Sequence, residues 1–398
     1  MSFEIGIAAN ASDLLNKLNA FLTSKGKAYA PSFSGSGNGK ITAWDGGTAS
    51  LAETFTLTAT SATAFSVVGS ASGNLGTTTV GTPFAHAKIG FTLTAGTIPF
   101  LAGDAFRINT ATPWTSLRAV PGSEMIWKAP GHDGLRQIYA GAKLFSHTGA
   151  DYFNWRLQGF TGFSPGNDFL NQPGQLGLPS PVLTLWNSTL PYWFVANGQR
   201  VVVFARVGTV YVCAYLGLIN TYLSPGQYPY PLFVGGNLCW ANEPASSSVA
   251  WRYSHPGVEM HAFWRGLQHT SNDSRTMTGR LRLPDGSFLG MKGTTLSDQI
   301  GNAGPCSIWP YANDGNGFDN IRENLDGSYP LLPAVLSSDR GVTPGVDVNT
   351  WGELDGLRAT TGHANAPENT ITEGLFTHVV FQDVFRTSKD CWCALRLD

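Results

Sequence analysis

The sequence predicts a mainly β protein, made of several domains of antiparallel β-sandwich or jelly-roll type with one short N-terminal helix. Three observations predict it. Apolar residues alternate with small polar ones in short runs such as Phe55-Thr-Leu-Thr-Ala and Ile89-Gly-Phe-Thr-Leu-Thr, the period of a half-buried strand. The 398 residues include 47 Gly and 23 Pro, enough to interrupt any long helix and to supply turns between short strands. Only Leu14, Leu15, Leu18, Phe21 and Leu22 recur at helical spacing over a convincing stretch.

That helix comes first. Ser12 or Asn10 is available as its N-cap, and Lys25 in the last turn followed by Gly26 is the expected stop. It is short and one-faced, and a helix of this length is marginal in water unless it packs. Its apolar face therefore docks either on its own domain or, through Leu14, Leu18 and Phe21, on a neighbouring subunit. Pro31–Lys40, PSFSGSGNGK, has the composition of a flexible linker, so residues 1–40 are predicted as helix plus linker. Residues 41–110 turn Thr-, Ala-, Ser- and Gly-rich with almost no charge. Their short strands, separated by turns such as Gly69-Ser-Ala-Ser-Gly-Asn and Ala102-Gly-Asp, predict a small β-sandwich.

Residues 111–398 are predicted to form a larger, aromatic-rich β body. Its expected strands are Glu124–Lys128, Ile138–Leu144, Tyr152–Gly159, Pro181–Asn187, a central hairpin, and Trp251–Trp264. A turn-rich segment spans 268–337. Thr377–Val384 and Cys391–Leu397 are expected to pair as a closing hairpin.

The central hairpin is the most tightly specified stretch. Gly208-Thr209 between two β-branched runs is a type II′ turn signal, and it sets Val207 opposite Val210, Ala205 opposite Val212, Val203 opposite Ala214 and Val201 opposite Leu216. That face is wholly aliphatic. The other face pairs Arg206 with Tyr211, Phe204 with Cys213, Val202 with Tyr215 and Arg200 with Gly217. A mixed arginine–tyrosine face predicts packing against another layer or subunit, where arginine stacks on tyrosine and donates to backbone carbonyls. Arg200, Phe204, Arg206, Tyr211 and Tyr215 are thus the candidate interface residues on this ribbon. Downstream, Pro225, Pro229 and Pro231 forbid helix and force an extended path.

Composition limits the function classes. Charged residues are 13%, about half the usual share of roughly 25%, and aromatics reach 12%. So few charges on a chain this size predict large contact areas with other protein. A formal net charge of −2 leaves no electrostatic footprint for nucleic acid. No window is apolar enough for a membrane span, and MSFEIGIAANASD has neither the basic start nor the cleavage site of a secretory signal, so synthesis and assembly in the cytoplasm are expected. Five cysteines at irregular positions do not form a disulfide framework. Cys391 and Cys393, on one side of a strand, are expected to be buried thiols.

Catalytic chemistry finds no anchor. Asp151, Asp168, Glu243 and Glu259 are acids in the aromatic body, but no spacing relates them as a glycosidase pair. His255, Glu259 and His261 alternate on one run without a helical HExxH spacing. Asn313-Asp-Gly-Asn-Gly-Phe-Asp-Asn lacks the alternating ligands and closing glutamate of a calcium loop. Gly35-Ser-Gly-Asn-Gly-Lys lacks the strand before and the helix after that a phosphate loop requires. No metal or cofactor is expected, and the chain is expected not to be an enzyme. Trp186, Tyr192 and Trp193 form the sharpest aromatic cluster for stacking on a sugar ring. Aromatic enrichment equally marks subunit interfaces, and the low charge favours that reading.

Four regions carry a family resemblance: NGQRVVVFARVGTVYVCAYLGLINTYLSPGQYPYPLFVGG at the hairpin, ASDLLNKLNAFLTSKG at the helix, IGFTLTAGTIPFLAGDAFRI in the small sandwich, and a C-terminal region with WGELDGL, HANAPENTITEG and VVFQDVFRTSKDCWCALRLD. Together they resemble virion proteins of tailed bacteriophages, specifically tail or baseplate components. The resemblance implies a structural subunit of a phage tail, at the baseplate or tail tip, assembled in the host cytoplasm. It further implies several copies around the tail axis, contacting other tail proteins and carrying receptor-binding parts. It brings no catalytic residues. The alternative is an adhesin that binds a host surface glycan, with a polysaccharide depolymerase in third place.

Overall fold

The computed structural model describes residues 2–131, 134, 136–240, 277–292, 306–309, 322–339, 348–382 and 392–397. The expected Trp251–Trp264 strand, Glu243, Glu259, His255, His261, the Asn313–Asn320 loop and Cys391 lie outside these residues. Among the described residues the chain is mainly β, built from several antiparallel sheets with a single α-helix.

The alternating runs of the first third make a small two-sheet sandwich. One sheet takes the strands Lys27–Ala28, Ala105–Ala111, Glu53–Ala59, Ala64–Gly69 and Gly73–Thr79; the other takes Lys40–Gly46, Ile89–Thr94 and Pro83–Ala85. Phe55, Leu57, Phe65, Val67, Ile89, Phe91 and Leu93 point inward, as their alternation requires, and close on Trp44, Phe100 and Phe106. Phe65 and Phe100 meet edge to face at 5.0 Å and 89°, a favourable quadrupole arrangement. Residues 31–40 are not a free linker. Ser32–Ser34 pairs with Ala105–Arg107, and the amides of Ser36 and Gly37 donate to the Asp104 carboxylate at 3.1 and 3.0 Å. Asp104 also accepts from the Leu101 amide at 3.0 Å, and these donors hold its carboxyl below the usual carboxylate range. The glycine-rich loop thus closes on an anion supplied by the chain itself.

The helix runs Ala11–Ser24 with Asn10 as its cap, accepting from the Asp13 amide at 2.9 Å. Ser12, the other candidate, instead donates to the Gly122 carbonyl at 3.0 Å. The expected glycine stop is absent: the chain leaves through Lys25 in extended conformation, φ −141°. Gly26 is small because a Cβ there would sit 2.2 Å from Ser50. The terminal carbonyls are served by Lys27, whose buried Nζ donates to Phe21 and Lys25 at 2.6 and 3.1 Å and stands 4.4 Å from the Phe21 ring. Burial pulls the Lys27 ammonium down to about 8.

The helix is wedged between two sheets of the larger body. The first is six-stranded: Thr115–Val120, Glu124–Ala129, Ile138–His147, Tyr152–Phe160, Ser180–Leu183 and Leu238–Trp240. The second is fourteen-stranded, beginning with Ser2–Ala8, Leu190–Ala196, Arg200–Val207, Val210–Leu218 and Leu232–Gly235, and ending with Val348–Thr360, Trp392–Arg396, Phe376–Phe381 and Thr370–Glu373. Asn220–Thr221 pairs with Gly352–Glu353, so the large sheet rolls over on itself. Phe376–Phe381 and Trp392–Arg396, overlapping the two runs expected to close the chain, pair antiparallel with Phe381 opposite Cys393 and Val379 opposite Leu395; residues 383–391 between them lie outside the described ones. Tryptophan indoles bolt the helix in place: Trp155 Nε1 donates to the Ala11 carbonyl at 3.0 Å and Trp127 Nε1 to Asn19 Oδ1 at 2.9 Å. Each satisfies its polar atom while burying its ring.

The central hairpin has the register its sequence dictates, with every pair from Val207–Val210 to Arg200–Gly217 in place and Gly208 at φ +63°. Its aliphatic face, Val201, Val203, Ala205, Val207, Val212, Ala214 and Leu216, belongs to the core shared with the helix and the six-stranded sheet. Its other face, Val202, Phe204, Tyr211, Cys213 and Tyr215, belongs to a second core roofed by the C-terminal strands. The ribbon is a wall between two cores. Gly217 makes that wall possible: at φ +136°, its added Cβ would lie 2.3 Å from the Gln199 carbonyl and 2.5 Å from the Arg200 Cα.

Gly217→Ala is expected to destabilise the chain by roughly 3 kcal/mol, combining left-region backbone strain with overpacking against main chain. Gly226→Ala, with nothing within 4 Å of the new Cβ, serves as the control. Denaturant midpoints of the two variants check this, and equal midpoints would show that the close approach at Gly217 costs nothing.

Candidate functional site

The residues predicted to face a neighbouring subunit are mostly covered by this chain. Leu14 and Leu18 are fully buried and Phe21 is 6% exposed, all within the core under the helix; the helix docks on its own domain. Phe204 stacks on Phe381 at 4.1 Å and 18°. Tyr215 is fully buried, donates to the Leu218 carbonyl at 2.7 Å, and is pushed upward by burial. Arg206 and Tyr211 converge on Glu368 of the same chain at 2.5 and 2.6 Å. Glu368 adopts φ +67°, and its amide donates to Val380 at 2.7 Å. The layer that the arginine–tyrosine face covers is therefore the chain's own C-terminal third.

Arg200 sits at the centre of that contact. It is fully buried and pairs with Asp355 at 3.1 Å, while its Nη1 donates to the Val195 carbonyl at 3.2 Å. Asp355 takes further bonds from Asn197 Nδ2 at 2.8 Å and Arg396 Nη2 at 3.2 Å. Burial works to raise the Asp355 carboxyl, but the Arg200 and Arg396 guanidiniums outweigh it and hold the group below the usual carboxylate range. Asn197 is fixed in turn: its Oδ1 accepts from the Gln199 and Arg200 amides, and its carbonyl accepts from Trp114 Nε1 at 2.8 Å. The network latches the strand Val348–Thr360 and the last strand onto the hairpin. Beside it, opposite Arg396, stands His378, 1% exposed. Burial, with the Arg396 and Arg358 charges, lowers the His378 imidazolium to about 4.

The sugar-stacking cluster does not assemble. Tyr192 and Trp193 are successive residues of one strand and point to opposite faces. Tyr192 enters the core beneath the helix, stacked on Phe194 at 4.2 Å, and donates to Glu4 at 2.6 Å. Trp193 enters the second core against Phe381 at 5.0 Å. Trp186 is half-buried with its indole nitrogen on the Thr189 carbonyl at 3.1 Å. Of the acids, Asp151 closes a 3₁₀ turn at φ +54° and Asp168 precedes the turn Phe169–Asn171, so both act as turn residues. Among the described residues, no group of three or more His, Cys, Asp or Glu is arranged to hold a metal. Cys213 and Cys393 are buried thiols.

The sequence reading missed an exposed apolar stripe. Ser2–Ala8 is the terminal strand of the fourteen-stranded sheet, paired on one side with Leu190–Ala196. Phe3, Ile5 and Ile7 project from one face at 38%, 50% and 64% exposure. The signal was present as strict alternation in SFEIGIA, so close to the N-terminus that it was weighed only as a possible leader. Apolar side chains beside a strand edge left unpaired among the described residues form a surface that can accept another strand or sheet layer.

No family model matches the chain, and no curated protein does. Two crystal structures of Xanthomonas campestris FlgL, in space groups C2 and H3, are similar at 18% and 16% identity. Their TM-scores are 0.19 and 0.18, and the alignments cover 23% and 24% of this chain and 30% and 34% of those chains. The likeness spans about a third of the FlgL chains, and at such TM-scores it bears on neither fold nor function.

Two outcomes test the latch. Asp355→Asn leaves Arg200 buried without its counter-charge and is expected to cost on the order of 3–5 kcal/mol, read as a lowered denaturation midpoint; an unchanged midpoint would remove the latch from the account. His378 has a folded-state value near 4, against 6.5 for the ordinary imidazole, so the unfolded chain binds the extra proton first as pH falls. Stability is then fully present above pH 6.5 and is lost between 6.5 and 4, by roughly 2 kcal/mol from pH 7 to pH 5. His378→Gln is expected to flatten that part of the stability-versus-pH curve; a curve of unchanged slope would mean that His378 is not its source.

Proposed function

We propose that this chain is a structural subunit of a phage tail, at the baseplate or tail tip, and works through contacts with neighbouring tail proteins rather than through catalysis. The observation that supports this best is the Phe3, Ile5, Ile7 stripe on the terminal strand of the large sheet. A chain that remained alone would be expected to blunt such an edge with lysine, proline or a bulge. Here the strand Ser2–Ala8 pairs regularly over its whole length, and its one charged side chain, Glu4, is engaged by Tyr192. In this reading a neighbouring subunit packs on the stripe and extends the sheet. The low charge fraction and the resemblance of the hairpin, helix, sandwich and C-terminal blocks to tail proteins support the same conclusion.

The interface in this proposal differs from the one expected from the hairpin. Arginine–tyrosine pairing holds the C-terminal third to the hairpin within the chain, and the outward contact passes to the N-terminal edge. Exposed side chains contribute little to the stability of the isolated chain, so replacing them separates assembly from folding. Ile5→Lys combined with Ile7→Lys is expected to move the thermal midpoint by no more than about 2 °C. The same protein, supplied in trans to a phage lacking the gene, is expected to be missing from purified particles and to yield few infectious ones. Normal incorporation of the double variant would overturn the proposed interface, and complete infectious tails without the gene would overturn the structural role.

A further inference from the structure

At the opposite end of the large sheet lies a cleft of about 470 Å³ between the terminal strand Thr370–Glu373 and the segment Asn324–Leu331, within the usual range for small-ligand sites. Its walls are built by local turn chemistry. The Asp326 carboxylate accepts from the Ser328 amide and hydroxyl at 2.9 and 2.7 Å, and the Gly327 amide donates to the Asn324 carbonyl at 2.9 Å. This tight turn, with Gly327 at φ +80°, fixes Asn324 at the rim. Asn324 Nδ2 donates to Ser328 Oγ at 2.9 Å, which orients the amide and leaves Oδ1 as an acceptor. Tyr329, half-buried, is anchored through its hydroxyl to the Ala364 carbonyl at 2.5 Å, so its ring is held in place.

The other wall is hydroxylic. Thr370, Thr372 and Glu373 line the cleft, and among the described residues their side chains have no protein partner. Among the described residues, the lining contains Pro330, Leu331 and Ile371 as apolar surface and no lysine, arginine or histidine. An anionic ligand would meet Glu373 without any compensating cation. A purely apolar ligand would leave hydroxyls and a carboxylate without partners or water. A neutral, hydroxyl-rich ring suits the polar groups of this lining: its hydroxyls donate to Glu373 and Asn324 Oδ1, and its C–H face lies on the anchored Tyr329 ring.

We propose that this cleft binds one or two rings of a neutral saccharide, with Glu373 and Asn324 accepting from ring hydroxyls and Tyr329 as the stacking face. The proposal is independent of the tail-assembly reading, and the lining of this cleft does not include Trp186, Tyr192 or Trp193. The test is saturation-transfer NMR and calorimetric titration of the full chain. The probes are methyl glycosides of glucose, galactose, mannose and N-acetylglucosamine, together with maltose and cellobiose. At least one probe is expected to bind with a dissociation constant in the millimolar range, weakened at least about tenfold by Glu373→Gln and by Tyr329→Ala. Far-UV circular dichroism and an unchanged melting profile confirm that each variant is folded, and Thr372→Val provides a second, milder perturbation. No saturable binding up to about 50 mM of any probe would overturn the proposal, as would binding that both variants leave unchanged. Saturable binding of an extended peptide from a random library, with none of the six sugars binding, would overturn it in favour of strand addition at the Thr370–Glu373 edge. The Ile5→Lys, Ile7→Lys variant is expected to bind sugar normally, which keeps failure of the assembly reading distinct from failure of this one.

Discussion

The rest of the structure depends on one ribbon being buried on both faces. The strands Arg200–Val207 and Val210–Leu218 carry Val201, Val203 and Leu216 into one core and Val202, Phe204 and Tyr215 into another. A strand with solvent on one side alternates apolar and polar residues, whereas a strand buried on both sides reads as a continuous apolar run. Val201-Val-Val-Phe-Ala is such a run. Because both faces are filled, a slip of one residue would exchange the two cores' side chains wholesale, so the register is strongly fixed.

Burial on both faces creates a difficulty at the end of the ribbon, where Arg200 enters the interior. A guanidinium removed from water is tolerated only with a counter-charge and filled hydrogen bonds. Asp355 and the Val195 carbonyl supply them, and Arg396 completes the pairing of Asp355 from the last strand. The polar network thus falls where the earliest hairpin strand meets the latest strands of the chain, and it gives their contact a single geometry. The tryptophans play a comparable part on the other side. Trp127 and Trp155 bury their rings around the helix while their nitrogens grip Asn19 and Ala11. The aromatic excess that suggested sugar platforms is in these cases structural.

The two sheet ends differ in character for a similar reason. At the N-terminal end, alternation leaves Phe3, Ile5 and Ile7 on the face continuous with Trp193 and Val195, so the second core's apolar surface runs past its roof and out to solvent. At the other end, the strand Thr370–Glu373 is polar and faces a turn-built wall. One end of the sheet is suited to protein, the other to a hydroxylic ligand.

Much of this was legible in the residues. The hairpin register, the helix and its apolar face, the alternating core of the small sandwich and the closing strand pair all follow from local periodicity and turn chemistry, which act over a few residues and leave their mark in order along the chain. What covers a face is not local. Whether the Arg206 and Tyr211 side chains meet a partner or Glu368, more than 150 residues away, depends on how the large sheet rolls, and no spacing within the hairpin records that. The same holds for the cleft, whose two walls come from segments separated by about 40 residues of sequence. The sequence by itself determined which strands exist, their registers in hairpins and which side chains share a face; only the tertiary structure decided which faces are internal, because that depends on long-range pairing of strands whose apolar surfaces are individually interchangeable.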